Sequence, residues 1–397
     1  MFNLRHNSSD TVYGVLVDIS SGTVGIAIVA SPKGAKLPQL IYTHRNTMRI
    51  TEHGSEKSEN IRRVREALFS ASLILSQEGK QVLNEFDSNA VITKMYVTCS
   101  SPWSYTVART VHFEDNVPFR ITNSIINDLI QSAESEILNH IRGVEHVTSN
   151  GFSIVERATV DITVNDYPVV HPLNLKGTIL GLSHITGLVP QEILDAVNEV
   201  QEKLFTETEL RTHTYMLIMY CVLRDIFPRL NTLCIVDITG EETEFAIVEN
   251  GLLIENSSVP VGSNTFIREI MKSTGKPSAD IQSHMSLVGN EAHLNAAEFT
   301  PHIESYKKQI SETLSQLLEH RSIPADIVIT AHKPFERFFA PIIENVFKDT
   351  IKNEPRILSI SQNIIDEISH GAGDDVYLAL GARFFHKLHG CSELHYE

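Results

Sequence analysis

Two segments, one in each half of the chain, combine a carboxylate with small residues in a pattern suited to phosphate chemistry. Each is an apolar run that ends in an aspartate and turns into a second apolar run: Asp18-Ile19-Ser20-Ser21-Gly22 and Asp237-Ile238-Thr239-Gly240. The backbone N–H groups of such a turn can approach a phosphate, and the carboxylate can hold a magnesium ion through water. The repeat predicts two related lobes whose turns face each other across a cleft.

The segments around both turns have the composition of mixed α/β layers. After the first turn the pattern predicts strands, a long helix and another strand, and after the second turn it predicts the same sequence of elements. The predicted strands cover 13–18, 23–30, 39–44, 90–98, 233–237, 243–248, 252–259, 326–330 and 356–360, and the predicted helices cover 58–79, 215–223, 264–273, 278–321, 335–348 and 374–386.

The block between the two halves changes character. A helical pattern over 120–141 begins at the capping candidate Thr122, strands with a turn at 165–168 occupy 151–185, and a helix follows at 190–204. A helix, strands and a helix in so short a span predict a small α+β domain inserted into the first lobe.

Composition excludes several classes of function. The chain has 397 residues and a net charge of −16, so it should form more than one domain and should not bind nucleic acid. The basic cluster Arg62, Arg63 and Arg65 is interpreted as a solvated helix face because Glu59 and Glu66 flank it. The cysteines Cys99, Cys221, Cys234 and Cys391 form no C-x-x-C pair, which argues against a zinc ribbon or a disulfide scaffold.

The apolar stretches are too short for a membrane span. The longest, 215–223, falls well below the roughly 20 residues that a spanning helix needs, and the polar opening of the chain does not resemble a signal peptide. A cytoplasmic location is expected, with any contact to the inner membrane face made indirectly, through a partner or a weak surface helix.

Several motifs, in order, resemble the bacterial cell-division FtsA family of the actin-like ATPase superfamily. Residues 17–24 (VDISSGTV) and 236–248 (VDITGEETEFAIV), the latter followed by 259–264 (VPVGSN), resemble its two phosphate motifs. Residues 157–186 resemble its inserted SHS2-type domain, 326–330 (DIVIT) stand at the adenosine motif, and 378–383 (LALGAR) resemble its closing helix. The resemblance implies an α/β, two-lobed actin-like (ribonuclease H-like) fold with an inserted small α+β domain.

The resemblance also implies a division of the chain. A polar tail at 1–11 precedes a first lobe made of 12–106 and 205–230, which the closing helix 374–389 rejoins. The inserted domain is then 107–204, the second lobe 231–373, and the terminal tail 390–397.

The resemblance further implies ATP and magnesium in the cleft. Asp18 and Asp237 would hold the metal through water. The nucleotide would contact residues of the two turns, of the start of the following helix and of the adenosine motif: Asp18, Ser20, Ser21, Gly22, Asp237, Thr239, Gly240, Gly262, Ser263, Thr330 and Ala331.

The chain departs from the family where glycines are expected. Ser20 replaces one in the first turn, Glu241 and Glu242 replace others in the second, and Ala331-His332-Lys333 replaces those of the adenosine motif. Each adds a Cβ where backbone must approach a ligand, and two carboxylates repel a phosphate unless a cation lies between them. The enzyme question stays open: the chain is at most a weak ATPase, and no catalytic residue is assigned.

Three functions remain open. The first is a cytoplasmic scaffold for cell division, which associates with itself or with a tubulin-like division protein. The second is an adaptor of the PilM type in type IV pilus assembly, which binds a peptide of a membrane-anchored partner. The third is a degenerate actin-like scaffold that needs no nucleotide, while a sugar or acetate kinase is disfavoured because no catalytic aspartate constellation is found.

Overall fold

The structure is a computed structural model that describes residues 10–50, 57–142, 151–287, 298–333, 335–351, 354–360 and 362–390. Cys391 and most of both predicted tails lie outside these ranges. In the described ranges no helix combines the length and apolar character needed to cross a membrane. The strands are β1 (Thr11–Ile19), β2 (Thr23–Pro32), β3 (Gln39–Thr47), β4 (Ile92–Cys99), β5 (Tyr105–Arg120), β6 (Phe152–Val164), β7 (Tyr167–Pro168), β8 (Lys176–Pro190), β9 (Glu209–Thr214), β10 (Leu233–Ile238), β11 (Thr243–Glu249), β12 (Leu252–Val259), β13 (Asp326–Ala331) and β14 (Arg356–Ser359).

The helices follow the same chain order. They are α1 (Lys57–Ile74), continued by a π-helical turn at Leu75–Gly79, then α2 (Lys80–Phe86), α3 (Asn123–Arg142), α4 (Gln191–Leu204), α5 (Tyr215–Ile226), α6 (Ser263–Thr274), α7 (Ser278–Leu287), α8 (Thr300–Leu318), α9 (Phe335–Ile351), α10 (Gln362–Ile368) and α11 (Val376–His389).

Two five-stranded sheets repeat one topology. The first has the order β3-β2-β1-β4-β9, and the second has the order β12-β11-β10-β13-β14. In each, three antiparallel strands are followed by two parallel ones. The parallel strands β1, β10 and β13 are almost wholly buried, as are the last five residues of β4, which explains the apolar runs in these segments.

One face of each five-stranded sheet packs on a core of its own, and the other face lies in a core that the two sheets share. Helices α1 and α4 pack on one face of the first sheet, a unit we call the first lobe, and α6 to α9 pack on one face of the second sheet, the second lobe. Helices α5 and α11 lie in a core that joins the remaining faces of both sheets. The run 215–223 is therefore a core helix, as the sequence predicts.

A third, four-stranded antiparallel sheet of order β5-β8-β6-β7 packs against α3. It is continuous in the chain with the first lobe through β5 and α4, and we call it the insert. The sequence pattern missed β5, because its residues from His112 to Phe119 are mostly exposed and lack apolar alternation. It also missed the short elements β9 and α10, and the predicted helix 278–321 consists of α7 and α8 with 288–297 between them outside the described residues.

Candidate functional site

The two Asp-containing turns lie in direct contact at the carboxyl ends of the parallel strands, the edge where open α/β sheets bind ligands. The hydroxyl of Ser21 donates a hydrogen bond to Thr239 Oγ1 at 3.1 Å and accepts one from the Glu241 N–H at 2.9 Å. A Cβ built on Gly240 would lie 3.0 Å from the backbone nitrogen of Gly22. The structure thus brings the predicted turns together, and the turns contact each other directly.

Asp18 ends β1 and is buried, with an arginine as its charge partner. Arg45, on β3, donates from Nη1 to Asp18 Oδ2 at 2.8 Å and to Thr23 Oγ1 at 2.9 Å. The same guanidinium binds Asp375 through Nε at 2.7 Å and Nη2 at 2.9 Å. Burial raises the pKa of Asp18 to about 6 even though Arg45 lowers it. The carboxylate that sequence analysis assigned to magnesium is therefore bound to a cation of the chain itself.

Asp237 occupies the equivalent place at the end of β10. Thr330, on the adjacent strand β13, and Tyr377, on α11, each donate a hydrogen bond to Asp237 Oδ1 at 2.8 Å. Its Oδ2 is buried with no hydrogen-bond partner in the described part of the chain. Burial raises its pKa to about 7, and the two hydrogen bonds offset only part of that effect.

The two glutamates that replace glycines of the second turn both have side-chain partners within the chain. Glu241 forms an ion pair with Arg268 on α6, with Nη1 donating to Oε1 at 2.9 Å. Glu242 accepts a hydrogen bond from Ser101. Arg268 thus neutralises the charge of Glu241, which reduces the repulsion expected between that carboxylate and a phosphate.

The start of α6 has used its donors within the chain. The N–H groups of Ser263 and Asn264 donate to the carbonyls of Thr239 and Gly240 at 2.9 and 2.7 Å. Gly262 permits this approach, since a Cβ there would lie 2.5 Å from the Thr239 oxygen. Because a helix N-terminus binds an anion through its free N–H groups, the donors nearest the second turn are not available to a phosphate.

A cleft with a volume of about 290 Å³ remains beside the turns. His332 and Tyr377 stack with ring centroids 4.0 Å apart on one side, and His332 Nε2 is hydrogen-bonded to Thr23 Oγ1 at 3.1 Å. Burial lowers the pKa of His332 well below its ordinary value, so this imidazole is neutral. The cleft is lined by predicted and unpredicted residues, among them Gly22, Gly240, Ser263, Ala331, Arg45, Asn264, Lys333 and Asp375.

The predicted residues that remain have structural contacts. Ser263 Oγ donates to the Thr239 carbonyl at 3.2 Å, and the Thr239 hydroxyl donates to the Glu242 carbonyl at 2.9 Å. The hydroxyl of Ser20 is buried with no partner among the described residues. All the predicted residues lie at one edge of the two sheets.

Sequence analysis missed Arg45, Asp375 and Tyr377. One signal was present: Gly25 interrupts an otherwise apolar strand, and a glycine within a strand marks the close approach of another group. Gly25 is paired with Asp18 on one side and with Arg45 on the other. No comparable signal marked Asp375 or Tyr377, which are distant in the chain.

These contacts do not suit magnesium and a nucleotide triphosphate. Both candidate metal ligands are buried. Asp18 pairs with Arg45, whereas Asp237 accepts hydrogen bonds through Oδ1 only. In the second turn the N–H groups of Thr239, Glu241 and Glu242 donate within the chain. No group of three or more His, Cys, Asp or Glu side chains within the described ranges is placed to hold a metal ion. The ion pair between Asp18 and Arg45 and the internal hydrogen bonds of the second turn do not fit magnesium and a triphosphate at the predicted place.

Comparison with known proteins gives no match to a family model and none to a curated protein by sequence. Among solved structures, the chain is similar to one of a "PilM-PilN type IV pilus biogenesis complex", with 12% identity and a TM-score of 0.59 over 94% of this chain and 98% of that one. It also matches a Bacteroides thetaiotaomicron protein with an actin-like ATPase fold (10% identity, TM-score 0.43, 96% and 98% covered) and EutJ from Carboxydothermus hydrogenoformans (10%, 0.44, 94% and 89%). At these identities the likeness concerns the fold, and the repeated sheets and the PilM match together identify the chain as a two-lobed protein of the actin-like fold.

Proposed function

We propose that this chain is a protein adaptor with an actin-like fold, which binds a partner protein and needs no nucleotide to hold its lobes together. The observation that carries the proposal is the direct contact between the two turns, where Ser21 bonds both Thr239 and Glu241. In this arrangement the chain itself supplies the bridges that a nucleotide would supply between the lobes.

The partner we propose is a peptide of a membrane-anchored protein, as in PilM-type adaptors. The similarity to the PilM–PilN structure supports this, since it extends over nearly the whole of both chains and so includes the insert. The chain would then act in the cytoplasm and reach the inner membrane face through that partner.

A cell-division scaffold of the FtsA type is the second candidate. The motif at 236–248 followed by Asn250-Gly251 supports it, because that stretch resembles the second phosphate motif of the family. Its partner would be a tubulin-like division protein or a second copy of this chain, and ATP with magnesium would be expected in the cleft.

One set of titrations separates these proposals. Fluorescently labelled peptides copying the cytoplasmic segment of a PilN-type protein and the tail of a tubulin-like division protein are titrated with the chain, with and without ATP and magnesium. We expect only the PilN-type peptide to bind, with a dissociation constant in the micromolar range, which corresponds to a binding free energy of about −8 kcal/mol. Its affinity should be the same with and without ATP and magnesium.

The same samples are followed by thermal unfolding, because a ligand that binds only the folded state raises its stability. We expect no magnesium-dependent shift with millimolar ATP. A shift that Asp18→Ala and Asp237→Ala abolish would overturn the nucleotide-independent proposal. Binding of the tubulin-like tail alone would favour the division scaffold, and binding of neither peptide would overturn the adaptor.

A further inference from the structure

Arg45 lies where the sequence predicts a hydrated divalent cation. Its guanidinium bridges Asp18 and Asp375, with donor–acceptor distances between 2.7 and 2.9 Å, and binds Asp375 through two nitrogens. Bidentate guanidinium–carboxylate pairs are among the strongest hydrogen-bonded contacts in proteins. Only 18% of the Arg45 side chain is exposed, and 1% and 16% of the two aspartates, so water competes little for these contacts.

Gly25 leaves room for the Arg45 side chain to cross β2 and reach Asp18. The registers place Asp18, Gly25 and Arg45 side by side on β1, β2 and β3, so their side chains share one face of the sheet. A Cβ on Gly25 would lie 2.6 Å from Arg45 Cζ. Gly25 is not among the glycines with positive φ, so its backbone does not require glycine. What requires it is the guanidinium that crosses from β3 to β1.

The contact continues into the second lobe. Asp375 caps α11 by accepting a hydrogen bond from the Leu378 N–H at 3.0 Å. Tyr377, in the first turn of that helix, has its ring centre 5.7 Å from Arg45 Cζ and donates its hydroxyl hydrogen to Asp237. A connected series of contacts therefore runs from Asp18, through Arg45 and the start of α11, to Asp237.

We propose that Arg45 is a built-in cation that takes the place of the divalent ion in the cleft, with Gly25 as the position that admits it. The proposal deepens the proposed function and rests on it, because a permanent cation keeps the start of α11 in contact with both lobes when no nucleotide is bound. Arg45 is a positioning residue in this scheme.

The test is chemical replacement of the missing cation. Arg45→Ala leaves Asp18 and Asp375 without a positively charged partner, and we expect its unfolding temperature to fall by roughly 5–10 °C. Millimolar MgCl₂, or ethylguanidinium chloride, should restore at least half of that loss, since either cation binds the folded state alone. Neither should shift the wild-type protein. Arg62→Ala is the matched control, because Arg62 forms an exposed ion pair with Glu66.

Gly25→Ala supplies an independent arm. The added methyl group displaces the guanidinium without removing a charge, so we expect a comparable fall, and a double variant with Arg45→Ala should be little worse than Arg45→Ala alone. If Arg45→Ala does not fold, Arg45→Gln gives the same readout, because glutamine also removes the positive charge but keeps more of the side-chain volume.

Different results overturn different claims. If Arg45→Ala lowers the unfolding temperature no more than Arg62→Ala does, or if neither added cation restores its stability, the proposal of a built-in cation is wrong while the adaptor proposal stands. If the wild-type protein itself responds to ATP with magnesium, the nucleotide-independent function is wrong, and the inference that rests on it falls with it.

Discussion

At the scale of single residues, Glu244 on β11 has an unusual environment for a carboxyl group. It is buried, it accepts a hydrogen bond from Asn256 Nδ2 at 2.8 Å, and its Oε2 has no partner among the described residues. Burial, with smaller contributions from Asp237 and Glu242, raises its pKa from 4.5 to about 8. The folded chain therefore holds a proton here at neutral pH that the unfolded chain releases.

This difference predicts a pH-dependent effect of Glu244→Gln. Below pH 4.5 the carboxyl group is protonated in both states, so the glutamate costs nothing there, and its cost grows as the pH rises towards about 8. Glutamine, which cannot ionise, should raise the free energy of unfolding by a few kcal/mol at pH 8 and by little at pH 4.5, since each pKa unit is worth about 1.4 kcal/mol. Urea unfolding at both pH values measures the effect.

The control is Glu249→Gln at the half-buried end of the same strand. It should change stability equally little at both pH values. An equal effect of Glu244→Gln at pH 4.5 and pH 8 would contradict a proton held by the folded state.

Sequence reasoning located the aspartates of this site but not their partners. Asp18 and Asp237 were found because each follows a buried strand and precedes a turn, which is a local pattern. Arg45 was missed because its role depends on the pairing of β2 with β3. Asp375 and Tyr377 were missed because they lie 330 residues after Arg45 and 140 residues after Asp237, respectively. A residue that belongs to a local sequence pattern can be predicted. A partner that only tertiary packing brings close cannot.

At the scale of elements, the joint between the second turn and α6 depends on Gly262. Its φ is −140°, which any residue adopts, so the need for glycine is steric. A Cβ would lie 2.5 and 2.6 Å from the carbonyl oxygens of Thr239 and Gly240, and those oxygens accept the first N–H groups of the helix. The helix start and the turn cannot both keep their positions around a larger residue.

Gly262→Ala should therefore destabilise the protein by about 1–3 kcal/mol, the usual cost of overpacking. Gly381→Ala on α11 is the matched control, because the nearest atom to its Cβ would be Leu16 Cδ1 at 3.9 Å, and alanine favours a helix. Urea denaturation compares the two. Equal stability of both variants would show that the turn and α6 separate without cost.

Helices and strands were predicted correctly where one or both of their faces are buried, and some short or exposed elements were missed. The strands of both repeated sheets except β9 were found, since their apolar runs lie between small or polar turns. The strand β5 was missed because it lies at the edge of the insert sheet, where exposed polar residues such as Glu114 and Asp115 are tolerated. The exposed part of β5 has no core-facing pattern from which it could be recognised.

At the scale of the whole molecule, the repeat seen in the sequence corresponds to two sheets of identical strand order. The equivalence extends to side chains: Thr98 on β4 lies opposite Asp18 and donates to its Oδ1 at 3.4 Å, as Thr330 on β13 donates to Asp237. Two lobes could thus be predicted from the repeat. The distance between the two lobes could not be predicted, because it is set by side chains that come together only in the folded chain.

Gly240 offers a direct test of that approach. A Cβ there would lie 2.6 Å from Asn264 Nδ2 and 3.0 Å from the backbone nitrogen of Gly22, which belongs to the other lobe. The side chain of Asn264 can rotate away, but the backbone of Gly22 cannot, so Gly240→Ala should separate the two turns. We expect amide hydrogen exchange to rise about tenfold in the turns 20–22 and 239–242, while the buried strands β1 and β10 stay protected.

Gly381→Ala again serves as control and should leave exchange in both turns unchanged. If the adaptor needs its lobes held together, Gly240→Ala should also weaken peptide binding, and ATP with magnesium should not restore it. Exchange that rises equally across both sheets would mean that the substitution unfolds the lobes instead of separating them, and exchange that does not rise at all would show that the contact between the turns is not what joins the lobes.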